Sequence, residues 1–212
     1  MGELDTDRIA AAAVAVADER GVGGFTMRAV AETLDVTPMA LYHHVADKAA
    51  LVALVVDRVI NERPLPPPSG EWQNDLWEMA CWVRQATIAH PAVSQLRRIH
   101  QVWTPTVLPM TERWFSVWQQ SGLEFDDAML AAATSSMAIV GLVEEEQLFR
   151  EMAHPDDGLL DWLPNTRLAF HRAPDRDREF ELVVRSLIEG LHHRLAREAG
   201  DRRPAHRAAG SQ

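Results

Sequence analysis

Apolar residues recur three and four positions apart along nearly the whole chain, and the alternation that marks a strand is almost absent. That pattern confines the chain to an all-α fold, because each amphipathic helix must bury its stripe against other helices. The first helix is predicted from Asp7 to Arg20, with Ile9, Ala12, Ala13, Val16 and Ala17 on one face and Gly21 just past its end. A second runs from Met27 to about Leu34 behind an N-cap Thr26, and a third from Pro38 to about Val45 behind Thr37. Asp47 caps a fourth, which carries Leu51, Leu54, Val55 and Val59. Phe25 with Val30, and Val36 with Leu41, stand at hydrophobic-staple positions around two of these starts.

The run Arg63-Pro-Leu-Pro-Pro-Pro-Ser-Gly70 cannot be helical and marks the clearest boundary in the chain. It is short and stiff, so the parts on either side should stay mechanically coupled. Beyond it, helices are predicted at 71–90, 92–99, 106–121, 126–154, 165–170 and 175–199, with 154–165 a loop. The division is therefore residues 1–62, a connection at 63–70, a larger helical domain at 71–199, and a flexible basic tail at 200–212.

Several function classes are excluded at this level. Charge interrupts each apolar stretch within about a dozen positions, short of the ~20 residues of a membrane span. The acidic start Met-Gly-Glu-Leu-Asp-Thr-Asp-Arg does not resemble a secretory signal, and the single Cys81 suits a reducing compartment, so a cytoplasmic protein is expected. No nucleophile and base at a recognisable spacing, no HExxH metal motif and no phosphate-cradling glycine loop is present, which leaves an all-α enzyme a remote alternative and no cofactor or metal expected. The net charge of −10 argues superficially against nucleic acid. Residues 1–60 hold five basic residues (Arg8, Arg20, Arg28, Lys48 and Arg58) against nine acidic ones. Any DNA-binding face must be a local cluster on an acidic body, leaning on base contacts and shape more than on bulk attraction.

Residues 27–45 have the form of a helix-turn-helix. A short helix with Val30, Ala31 and Leu34 inward meets a tight Leu34-Asp35-Val36 turn, and the next helix packs Leu41 and Val45 back onto it. Pro38, Met39, Tyr42 and His43 then point outward, on the face that would enter a major groove. Two neighbouring short helices of an ordinary α-domain would give the same pattern. The stretch from Phe25 to Leu51, and above all Leu41-Tyr42-x-His44-Val45-x-x-Lys48-x-x-Leu51, resembles the DNA-binding signature of the tetracycline-repressor family. Trp72-x-x-x-Leu76, Ala89-His90-Pro91 and Phe180 to Leu191 resemble that family's regulatory domain more loosely. The resemblance implies an N-terminal three-helix helix-turn-helix domain plus a helical-bundle ligand-binding and dimerisation domain.

It also implies roles. Arg28 stands where the family places a base-reading arginine, whose guanidinium matches guanine O6 and N7. Thr37, Met39 and His43 would face bases, Met39 against a thymine methyl, while Tyr42 and His44 reach phosphates. Lys48 would add its charge to the free amides opening the fourth helix. Read without the family, Tyr42 and His44 could instead pack on the fourth helix, and Arg28 could be a solvated charge. Asp35 departs from the family, which commonly has Gly at the turn, and predicts a costlier but intact turn.

For the second half the resemblance implies a sensor pocket, with Trp82, Ala86, His100, Trp103, Trp114, Trp118, Met137 and Glu145 as its candidate lining. Pro64, Trp82 and Thr104 fall where the tetracycline repressor uses His, Asn and Arg, so a bulky, largely apolar effector other than tetracycline is expected. The run Glu144–Glu146 reads as solvated and rim carboxylates rather than a metal site. A homodimer is expected through 126–153 and 175–199, with Val184, Leu187, Ile188 and Leu191 at the contact, because two copies read the two halves of a palindromic operator in double-stranded DNA. The same stripe would serve equally as intrachain core. The functional expectation is a ligand-released repressor; a helical adaptor that has lost DNA binding is the alternative.

Overall fold

The computed structural model describes residues 4–153, 155–172 and 174–207, and every regular element among them is an α-helix. The chain divides into two compact units, Met1–Gly122 and Leu123–Gln212.

The first unit holds α1 (Thr6–Gly24), α2 (Met27–Thr33), α3 (Pro38–Tyr42), α4 (Lys48–Asn61), α5 (Trp72–Ala89), α6 (Pro91–Ile99) and α7 (Val107–Gln119). Helix α1 opens on Asp5, whose carboxylate accepts from the Arg8 N–H at 2.8 Å. Its regular part ends where predicted, at Gly21 with φ 63°, and residues 22–24 add a further turn. Ile9, Ala13, Val16 and Ala17 are buried with Val30, Ala31, Leu51, Val52 and Val55 in one apolar core.

That core does not stop at the proline-rich connection. Helix α6 packs on both α1 and α4, and Ala92, Val93, Leu96, Val102 and Val107 join the same cluster. The break at His90-Pro91 redirects the chain after α5 and lays the α6 stripe on the N-terminal helices. Residues 63–70 are thus a strap across one unit, and the packing divides only after Gly122. The strap is tied at both ends to α5. The Trp82 indole N–H donates to the Arg63 carbonyl at 3.1 Å, and the Arg63 side chain donates to Gln85. At the other end, the Ser69 N–H and hydroxyl both donate to Asp75 Oδ1, at 2.7 and 2.6 Å.

The second unit holds α8 (Phe125–Glu151), α9 (Asp157–Leu160), α10 (Pro164–His171) and α11 (Arg176–Arg207). Helices α8 and α11 pack together, burying Ala128, Ala131, Ala132, Ser135, Ile139 and Val143 of the first and Phe180, Val184, Ile188 and Leu195 of the second. Three sequence expectations are corrected here. Residues 157–160, placed in a loop, form the short α9, because the Asp156 carboxylate caps the Gly158 N–H at 2.8 Å; His154 lies outside the described residues. The helix expected to fray after residue 199 continues to Arg207, and Arg202 grips both oxygens of the nearly buried Asp127 at 3.0 and 2.8 Å; residues 208–212 lie outside the described residues. Finally, residues 128–143 carry no charge, so Phe125–Arg150 is long and apolar enough, by length and composition alone, to cross a bilayer. Its packing is that of a core helix: one face lies against α11, and the Ser135 hydroxyl is satisfied by the Ala131 carbonyl at 2.6 Å.

Candidate functional site

The helix-turn-helix is set by five side-chain or backbone devices. Thr26 Oγ1 accepts from the Ala29 N–H at 3.0 Å and starts α2. Phe25 before that cap and Val30 inside it are both fully buried, as a staple requires. Helix α2 ends in a Schellman motif: the Val36 N–H bonds to the Ala31 carbonyl at 3.0 Å and the Asp35 N–H to the Glu32 carbonyl at 3.2 Å. Asp35 occupies the left-handed position with φ 56°, where glycine is usual, and Val36 then packs against the core. Thr37 Oγ1 caps the Ala40 N–H at 3.2 Å with Pro38 in the first turn, and the Asp47 carboxylate caps the Ala50 N–H at 2.8 Å. Helix α3 is shorter than predicted, ending at Tyr42, and turn bonds from His44 and Val45 to the Leu41 carbonyl complete it.

Leu41 and Val45 pin α3 to the core while Thr37, Pro38, Met39, Tyr42, His43 and His44 are all exposed. Met39 is 68% exposed and Tyr42 47%, so neither side chain is used up by packing on α4. The structure gathers these six on one short, rigid element. Arg28 is 83% exposed one element earlier, but its guanidinium is held by Glu32 one turn on, at 2.9 Å, and Arg20 lies 3.8 Å from the other Glu32 oxygen. The Lys48 ammonium stands 5.7 Å above the Phe25 ring, a cation–π position, and the Asp47 carboxylate caps one of the amides that open α4.

Reasoning from the sequence missed the joint behind this face. His90, at the α5–α6 break, has Nδ1 2.8 Å from the Asp18 carboxylate and Nε2 3.0 Å from that of Glu62. One ring thereby joins the ends of α1 and α4 to the start of α6. Thr104, buried before α7, hydrogen-bonds Asp57 of α4 as a second tie. No local spacing betrays either, since the partners lie 72, 28 and 47 positions apart.

The family models match the chain in two blocks. Residues 9–55 match the tetR family of bacterial regulatory proteins, and residues 63–195, more than half of the chain, match the tetracycline repressor-like C-terminal domain. The chain belongs to the tetR family. Among its relatives, an HTH-type transcriptional regulator of Saccharopolyspora erythraea is 30% identical over 155 residues, which is 73% of this chain and 64% of that protein. The chain thus spans slightly under two thirds of that relative. The class E tetracycline repressor protein of Escherichia coli is 27% identical over 92% of this chain and 94% of its own length. The crystal structure of the TetR family protein ActR of Streptomyces coelicolor in complex with actinorhodin superposes with a TM-score of 0.71 at 25% identity, covering 90% of this chain and 97% of that one.

The residues expected to line a TetR-type sensor pocket fall into three groups. Trp82, Trp114 and Trp118 are buried, with Trp72 and Trp118 stacked obliquely at 5.6 Å between ring centroids. Ala86 and His100 are half-buried, while Trp103, Met137 and Glu145 are exposed. The bond to Arg63 gives Trp82 a place in the strap, so its indole N–H is engaged within the chain. Glu146 of the acidic run is buried against Arg150 at 2.8 Å and is not a rim carboxylate. Among the described residues no three His, Cys, Asp or Glu side chains gather as a metal site.

The dimer expectation is corrected in part. Val184 and Ile188 are 0% and 2% exposed within one chain, so they have no surface left to bury against a partner. Leu187 and Leu191 are half-buried. Open apolar residues on these helices include Leu182 and Val183 of α11 and Phe125, Leu130, Met137, Leu148 and Phe149 of α8. Periodicity marks the whole stripe, but it cannot separate the part that faces α8 from the part beside it.

Proposed function

We propose that this TetR family chain is a cytoplasmic, homodimeric transcriptional repressor that binds a palindromic operator and is released from it by a small, largely apolar ligand. The observation that carries the reading is the presentation of α3. Its buried side chain, Leu41, fixes the helix, and its remaining long side chains, Met39 and Tyr42, project unengaged beside His43 and His44. A core helix would not leave them so, whereas a reader must. In this reading Met39, His43, Thr37 and Pro38 face base edges, Tyr42 and His44 meet phosphates, and Arg28 exchanges Glu32 for guanine. Lys48 steadies Phe25 and adds long-range attraction.

The names of the relatives support regulation, and the ActR complex with actinorhodin supports a small-molecule ligand. The open residues Leu130, Met137, Leu182 and Val183 supply a self-complementary face for a second copy. Coupling runs through His90 and Thr104, which tie α6 and the start of α7 to α1 and α4. A ligand that favours one setting of α6 shifts the reading helices with it, and ~1–3 kcal/mol of coupling weakens DNA by a factor of about 5–150. The test is reciprocity. Operator affinity is measured with and without saturating ligand, and ligand affinity with and without saturating operator. Equal factors support the reading, and a ligand that binds free and operator-bound protein equally well contradicts it.

A further inference from the structure

We infer that Arg113 is the residue that recognises the effector's polar group, and that the effector is an aromatic compound presenting an sp² acceptor oxygen, as a carboxylate or a ketone. This rests on the effector reading proposed above and names the chemistry of that site. Among the described residues two buried side-chain nitrogens have no hydrogen-bond partner, Arg113 Nη2 and Gln147 Nε2, and only the first belongs to a charged group. Arg113 sits on α7, which packs against α5; it precedes the buried Trp114 and lies one turn from the buried Val117.

The neighbouring acid cannot fill the gap. Asp75 of α5 feels the Arg113 charge through space, yet its Oδ1 is taken by the Ser69 N–H and hydroxyl, and no hydrogen bond joins the two residues. An arginine cannot escape by losing its proton, and a buried donor left unfilled is destabilising. A ligand oxygen satisfies it, and a charge-assisted bond there is short and strong. Trp72 of α5, half-buried beside Trp118 of α7 at 5.6 Å between ring centroids, offers an aromatic face for the body that carries that oxygen.

The experiment uses the full-length protein and three probes of one shape: 2-naphthoate, 2-acetylnaphthalene and 2-isopropenylnaphthalene, which replaces the ketone oxygen by a methylene. Calorimetric titration should show an oxygenated probe binding at least about tenfold more tightly than the hydrocarbon, and Arg113→Met should erase the difference. The acid and the ketone, compared, tell whether charge or acceptor geometry dominates. Equal binding of all three, or a preference that survives in Arg113→Met, overturns the assignment while leaving an apolar effector site standing. No binding by any of them counts against the effector reading itself, and the variant's stability then decides the role of Arg113. In the Asp75→Asn background, which removes the attraction between Arg113 and the buried carboxylate, a melting temperature unchanged or raised by Arg113→Met supports an unfilled donor, and a clear drop shows a structural guanidinium and overturns the proposal.

Discussion

Replacing Asp75 by Asn keeps the shape of the side chain and removes its charge. Asp75 is 2% exposed and ties the end of the proline strap to α5 through the two Ser69 bonds. Burial alone would push its carboxyl up. The hydrogen bonds from the Ser69 side chain and backbone and from the Gly70 N–H, with the Arg113 charge, outweigh that and hold it below the ordinary value. The folded protein therefore prefers the carboxylate to its neutral form. A hydrogen bond to a charged group contributes about 1.5–3 kcal/mol and a neutral one about 0.5–1.5, so two weakened bonds cost about 2 kcal/mol. For a chain of this size that is a fall of about 4–8 °C in melting temperature. The sign with pH follows from the depressed value: the contribution is present above the unfolded range and lost as pH falls below about 4. Thermal unfolding followed by circular dichroism from pH 7 to pH 3 is the assay. The gap between wild type and Asp75→Asn should be full at pH 7 and narrow as the pH falls below about 4. A variant as stable as wild type at pH 7, or a gap that widens in acid, would refute the reasoning.

Three further outcomes are expected. Asp35→Gly relieves the left-handed strain at the α2–α3 turn and should raise the melting temperature by about 1–4 °C, whereas Asp35→Val should lower it, both read by calorimetry. Lys48→Ala should weaken all DNA sequences alike and flatten the salt slope, while Arg28→Ala should cost ~1–3 kcal/mol and relax preference at one base pair, as measured by competition binding at several salt concentrations. Val183→Glu on the open face should give a folded monomer in sedimentation, while Ile188→Glu buries an unpaired charge between α8 and α11 and should unfold the second unit.

Much of the first unit was legible because its signals are local. The caps at Thr26, Thr37 and Asp47, the staples and the left-handed Gly21 each act within four residues, and the structure places each as the sequence predicts. The surface of α3 was legible for the same reason, since Leu41 and Val45 alone determine which side faces out. What the sequence hid is non-local. That α6 shares a core with α1 and α4, that His90 bridges Asp18 and Glu62, and that Thr104 bonds Asp57 depend on which helix faces which. The partition of the α11 stripe, with Val184 and Ile188 inward and Val183 open, depends on the azimuth of a helix about its axis, which a 3.6-residue period leaves free.

Whether α3 reads DNA sequence in a two-fold assembly is decided by selecting duplexes from a random pool with the purified protein and sequencing what is retained. The expected result is enrichment of an inverted repeat whose half-site centres lie about one helical turn, or a multiple of it, apart. Met39→Ala should change the preferred bases within each half while preserving the spacing. A pool that emerges without a shared motif, or a motif indifferent to every substitution on α3, would contradict that role for α3.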